Sequence, residues 1–431
     1  MFNRSVYFLV FFLLMSFSLM SGAQEVRRQE LPREKTQEQL ESTPIEETEE
    51  KPVPGEPAPA EEKMSLKNFY KDHFSVSLSA GEEWDSNIFL DEENEESDFI
   101  SVLGPDVLFH TSREHGYFEA SWTGRYAYYW DSDEITKTNS FSGMGFVTPH
   151  DKLAIGLKGY ADITEDSEVP TVFGDRILLM GYKIWSVGPE VKYQLSDRWA
   201  LGLNYQFDSV DIDQDELDDD VDRNTNGAGV NAEYELAADW FLLGGYGFRD
   251  VNFSEADNKD AFSNLYTGGI RKKFPALFNV DLKLTFHDKN FDESEDDSNV
   301  DVIGSIQTTF SRYTTLIFSG SYALQESSRS EYSQYTSTRL SLLIQHYLTK
   351  KTTITMRASY ELQGFDAEDS LVDFTEGDQD SSTYNVSLTL RQMLLDWLSL
   401  EVGYSYQERS TDFEGEGLVD HIARAGVRAY F

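Results

Sequence analysis

From Leu66 to Phe431 the chain repeats one pattern, short segments in which every second residue is apolar. The cleanest sets Val280, Leu282, Leu284 and Phe286 against Asp281, Lys283, Thr285 and His287. Leu201, Leu203, Tyr205 and Phe207 oppose Gly202, Asn204 and Gln206; Tyr384, Val386, Leu388 and Leu390 oppose Asn385, Ser387, Thr389 and Arg391. Leu398, Leu400, Val402 and Tyr404 oppose Ser399, Glu401 and Gly403. A period of two marks a strand with one greasy face and one wet face.

The links between these segments alternate in length. Short ones fall near residues 113–116, 149–152, 196–198, 237–239, 274–277, 311–313, 349–351 and 395–396. Longer ones fall near 85–98, 131–138, 164–174, 211–222, 253–260, 291–298, 327–331, 366–380 and 412–416. Eight short and nine long links join eighteen strands, and an even number puts both ends of the strand region on the short-link side. A soluble β-sandwich also alternates. Long strands whose apolar faces end in aromatics, with links in strict short-long succession, favour instead an all-β transmembrane antiparallel β-barrel of about eighteen strands. Closure pairs every backbone group around the ring, so polypeptide can sit in lipid without an exposed sheet edge. Tyr126, Tyr128, Trp130, Trp199, Trp240, Tyr246, Tyr404 and Tyr406 are expected near strand ends, as interfacial girdles.

Composition and the N-terminal sequence extend this picture. Aromatics reach 14% while the chain carries a formal net charge of -41, which excludes the basic patches that nucleic acid demands. Arg4, the apolar run Val6 to Met20, and then Ser21, Gly22 and Ala23 predict a signal peptide over residues 1–23. Residues 24–65 hold six of the eleven prolines and many glutamates, a composition that cannot bury enough apolar surface to fold. This segment is expected to be a disordered periplasmic tether, with recruitment of a periplasmic partner as the second reading. The absence of cysteine excludes lipoprotein attachment, disulfides and thiol chemistry.

The alternation assigns the inward positions. Glu119, Arg125, Lys158, Asn204, Glu233, Arg249, Asp281, Lys283, Arg339, Arg357, Glu361, Arg391, Glu401, Arg424 and Arg428 are the lumen-lining candidates. Their mixed signs suit either a polar conduit that hydrogen-bonds a solute or a salt-bridged wall that is merely stiff. The long links are acidic and the short ones carry Arg113, Lys152, Arg198, Arg271, Lys272, Lys273, Arg312, Lys350 and Lys351, so the rims differ in sign. Acidic loops read as solvated surface beside anionic glycans, or as a vestibule that attracts cations. Asp211, Asp213, Asp215 and Asp222 have the spacing of a calcium loop, but Glu216 stands where that loop needs glycine, so no metal and no cofactor is expected. No catalytic residues are assigned: among the seven histidines, His287 beside Asp288 and His421 beside Asp420 lie near the outer rim, yet strand neighbours point to opposite faces.

Two stretches carry a family resemblance. Asp420 to Phe431 sets Ile422, Arg424, Gly426, Arg428 and Tyr430 against Ala423, Ala425, Val427 and Ala429, then stops on Phe431. This ending resembles the terminal signal of bacterial outer-membrane barrels, which the barrel-assembly machinery reads. Near the end of the first strand, Gly81 to Phe89 reads G-E-E-W-D-S-N-I-F. Trp84, Asp85, Ser86 and Asn87 there resemble the aromatic-Asp-Ser-Asn motif of an outer-membrane β-barrel porin family associated with bacterial exopolysaccharide export, although Trp84 replaces the more usual tyrosine. The resemblance implies location in the outer membrane of a Gram-negative cell, among lipid and lipopolysaccharide, and a porin-like conduit for secreted polysaccharide that works with periplasmic export components. A general or cation-preferring diffusion porin, and a plugged barrel with adhesive acidic loops, are the alternatives.

Overall fold

In a computed structural model the chain is described over residues 73–431, apart from 91–94, 165–170, 174–175, 179–180, 213–221, 255–259, 275–277, 292–296, 328, 330–331, 333, 366–378 and 414. The expected signal peptide, the tether and the acidic cores of several long links lie outside the described residues.

The strands are β1 (Phe74–Asp85), β2 (Asp98–Arg113), β3 (Gly116–Tyr129), β4 (Glu134–His150), β5 (Leu153–Thr164), β6 (Thr171–Phe173), β7 (Arg176–Leu178), β8 (Tyr182–Gln194), β9 (Trp199–Ile212) and β10 (Arg223–Ala237). They continue with β11 (Trp240–Phe253), β12 (Ala261–Phe274), β13 (Phe278–Phe291), β14 (Asp297–Ser311), β15 (Thr314–Glu326), β16 (Gln334–Thr349), β17 (Thr352–Phe365), β18 (Gln379–Leu395), β19 (Leu398–Thr411) and β20 (Leu418–Tyr430). All but β6 and β7 form one 18-stranded sheet in which chain neighbours pair. β20 pairs antiparallel with β1 from Ser77 opposite Tyr430 to Asp85 opposite Ile422, and this seam closes the cylinder. The fold is a closed antiparallel barrel of eighteen strands, and bacterial barrels of this kind sit in the outer membrane with their short turns towards the periplasm.

Register carries the alternation across the whole wall. Tyr246, Tyr266 and Phe286 stand side by side on β11, β12 and β13, and Val386, Tyr406 and His421 on β18, β19 and β20. Leu284, Leu388 and Leu203 are about half exposed on this apolar face, an exposure that lipid satisfies and water would not. At the short-link rim, aromatics meet cations: Lys272 Nζ lies 5.3 Å from the Trp240 ring and 4.9 Å from that of Phe274, and Arg312 lies 4.6 Å from that of Tyr313. Apolar rings beside snorkelling cations suit the boundary between acyl chains and headgroups.

Three sequence expectations need correction. β4 starts at Glu134, because Asp133 takes a positive φ of 59° and turns the chain within the short span Trp130–Asp133. The third long link runs on to Tyr182 and contains the small β6–β7 hairpin, too short to register as alternation. Tyr246 and Tyr404 sit mid-strand rather than at strand ends, in β11 and β19.

Candidate functional site

The face opposite the apolar one carries the charge. The register puts every lumen-lining candidate named above on that polar face, where Arg339 stands opposite Glu361, Arg391 opposite Glu401, and Leu343 opposite Arg357. Several of its contacts jump an intervening strand. Arg125 on β3 donates to Glu83 on β1 (2.8 Å), Arg271 on β12 to Glu233 on β10 (2.8 Å), and Arg428 on β20 lies 3.2 Å from Asp106 on β2. Strands are about 4.8 Å apart, so side chains two strands away meet only where they converge, on the concave side of the cylinder. The polar face is therefore the inner one.

Much of this face is internally paired. Arg271 bridges Glu233 and Asp281 (2.7 Å), with Lys192 3.8 Å from Glu233 and Lys283 3.9 Å from Asp281. Arg339 and Glu361 pair across β16 and β17, with Ser337 donating to the same carboxylate (2.8 Å). Glu119 accepts from the Tyr117 hydroxyl, and Asn231 donates to Asn204 at 3.4 Å. Lys158 lines a small recess with Glu119, Met144 and Gln206.

The outer rim differs from a simple ring of strand ends. β15 pairs with β14 only from Ser311 opposite Thr314 to Val302 opposite Tyr322; past Tyr322 it continues alongside β16 alone. Its last residue, Glu326, takes Arg249 of β11 (3.0 Å) and Lys289 of β13 (3.4 Å). Arg249 lies four strands from β15 around the wall, a gap only an inward-leaning strand end can close. Beyond Glu326, the described residues Arg329 and Tyr332 stay on the concave side. Tyr332 is buried among Tyr335, Phe365 and Phe413, and Arg329 lies 3.5 Å from the Phe413 ring while pairing with Glu416, which also lies 3.3 Å from Arg409. The described residues at the end of the β15–β16 hairpin thus lie inside the ring of strand ends. Local composition does not mark this link as buried: Glu326-Ser-Ser-Arg329 is wholly polar, and its partners lie on strands distant in the chain.

The Trp84-Asp85-Ser86-Asn87 motif sits at the outer end of the closing seam. Trp84 is outward and part-exposed, whereas Asn87 is fully buried. Asp85 Oδ1 accepts from the Asn87 backbone N–H (2.9 Å), which folds the chain into a tight Asx turn. Ser86 accepts from the His421 N–H (2.8 Å) and donates to Asp420 (3.2 Å), while the Asn87 amide donates to the Val419 carbonyl (3.2 Å). These bonds extend the β1–β20 pairing past the last rung, and Ile88 then packs on Ile100, Ala127 and Tyr129. At the other end of the seam the Phe431 N–H donates to the Val76 carbonyl (2.9 Å), with the Phe431 ring largely exposed.

Both histidines near the outer rim are engaged by other residues than their sequence neighbours. His287 lies 2.6 Å from Asp301 on β14, and the His421 ring is 2.7 Å from the Tyr404 hydroxyl. Asp211 lies 3.7 Å from Lys183, and Asp222 accepts from the Ile212 N–H (2.7 Å); Asp213, Asp215 and Glu216 fall outside the described residues.

No curated protein sequence matches the chain. Among solved structures, it is similar to OccK2 (OpdF) of Pseudomonas aeruginosa in complex with glucuronate (9% identity, 84% of this chain and 98% of that one, TM-score 0.45). It is similar too to OpdQ of the same organism (10%, 85% and 99%, TM-score 0.44) and to the siderophore receptor PirA of Acinetobacter baumannii (10%, 83% and 80%, TM-score 0.43). The family model described as Putative beta-barrel porin 2 matches residues 74–431, from the first residue of β1 to the end of the seam, and the chain belongs to that outer-membrane family.

Proposed function

We propose that the barrel is a passive conduit through which secreted exopolysaccharide crosses the outer membrane. The supporting observation is the chemistry of the concave face: arginine, hydroxyl and amide groups alternate along β16 to β20, and such groups hydrogen-bond a hydroxylated chain while lipid-facing residues hold the wall. Transport of this kind needs no covalent chemistry, no cofactor and no metal. The exopolysaccharide cargo rests on the Trp84-to-Asn87 resemblance. In this reading residues 24–65 meet periplasmic export components, and the assembly machinery reads Phe431.

A general diffusion porin is the second reading, favoured by the mixed signs on the concave face, which suit small polar solutes of either charge. Its cation-preferring form draws on the acidic long links but has to contend with the arginines of β17, β18 and β20. A plugged barrel with adhesive loops is the third, and the inward hairpin end is the feature that favours it. Planar-bilayer recordings of the refolded protein separate them. Absence of current removes both pore readings, and current indifferent to added oligosaccharide removes the preferred one.

A further inference from the structure

Near the short-link ends of β17, β18 and β20, Arg357, Arg391, Arg424 and Arg428 line one concave recess of about 680 Å³. Two of the four are matched by carboxylates. Glu401 accepts from Arg391 Nε at 2.7 Å and lies 3.6 Å from Arg428, whose other partner is Asp106. Among the described residues, the other two are not. Arg424 Nη2 donates to the Thr389 hydroxyl (3.0 Å), because its register partner Glu83 is turned to Arg125. Arg357 is exposed and, among the described residues, has no carboxylate within 4.0 Å.

Three of these arginines flank Thr389 in the register. Thr389 stands opposite Thr355 on β17 and Gly403 on β19; Arg391 is one same-face step from it along β18 towards the short-link rim, and Arg357 is one same-face step beyond Thr355 on β17 in the other direction. Gly403 is the slot through which Arg424 reaches it: a Cβ there would meet Arg424 Nε at 2.5 Å. A wall stiffened by ion pairs would match these charges, and a chain with 77 acidic residues had carboxylates to spend. Two arginines left open beside Thr353, Thr355 and Thr389 instead offer a planar fork for a carboxylate and hydroxyls for its neighbours.

We propose that this arginine tier binds the carboxylate groups of an acidic, hydroxyl-rich oligosaccharide and holds it against the β17–β20 wall. The inference rests on the conduit reading and names the class of cargo.

Oligogalacturonate and an uncharged dextran oligomer of equal length, added to single barrels in a planar bilayer, provide the test. Oligogalacturonate blocks current for about tenfold longer than dextran, and the Arg357→Gln/Arg424→Gln pair removes most of that difference, as loss of charge-assisted bonds requires. Lys183→Gln, at the other rim, leaves it intact. Arg357→Lys, which keeps charge and loses the fork, gives an intermediate block and guards against a misfolded double variant. Equal block by both oligomers, or a block unchanged in the double variant, overturns the proposal. If the barrel passes no current, the conduit reading falls, and calorimetry of the detergent-solubilised protein decides the site alone: wild type binds oligogalacturonate and the double variant binds it about tenfold more weakly; no binding by wild type overturns it.

Discussion

Single residues on this wall face one of two solvents, and adjacent positions differ accordingly. Leu284 is half exposed at the middle of β13 on the apolar face, while Thr285 beside it donates to or accepts from Thr267 on the concave side (3.0 Å). Leu284→Arg should lower stability in lipid vesicles by about 2–4 kcal/mol, whereas Thr285→Arg should leave denaturant unfolding nearly unchanged and alter ion selectivity instead. The seam residues obey a different rule, since their bonds substitute for missing rungs. Asn87→Ala removes the bond from the buried Asn87 amide to the Val419 carbonyl, a loss of about 1–3 kcal/mol. It should show as a lower temperature at which the compact form disappears on unboiled electrophoresis, and Ser86→Ala should act in the same direction. Sequence alone marked Ser86 and Asn87 through a motif and a turn preference; that they clasp two strands over 330 positions apart in the chain was invisible, because nothing local encodes a seam partner.

Whole elements were legible where side-chain period decides them. The alternation in β13, β18 and β19 is set by lipid on one side and water on the other, so their faces follow from residue order alone. The β15–β16 hairpin was not legible in this way. Its outer end alternates like any other, but Glu326 finds its partners on β11 and β13, a long-range ionic choice that outranks pairing with β14. Glu326→Gln leaves Arg249 and Lys289 crowded in a place with little water, and removal of one partner of a buried pair costs about 3–5 kcal/mol. Because that cost is borne by the strand end rather than by the barrel, the expected outcome is a released hairpin: larger and noisier single-channel conductance with the global unfolding midpoint little changed. Deleting the aromatic anchor through Tyr332→Ala should act in the same direction.

At the scale of the molecule, a closed ring of eighteen strands turns a local period of two into a wall with separate inner and outer chemistries. That period has a built-in ambiguity. Sliding β20 by two residues along β1 would return every apolar side chain to lipid and every charged one to the lumen, so hydrophobicity cannot tell the two staggers apart. The polar clasp can: after such a slip Ser86 no longer meets the His421 amide and Asn87 loses Val419. Stagger fixes the tilt of all the strands and the bore of the cylinder, so a handful of hydrogen bonds at one edge sets the shear, and through it the diameter, of the entire channel.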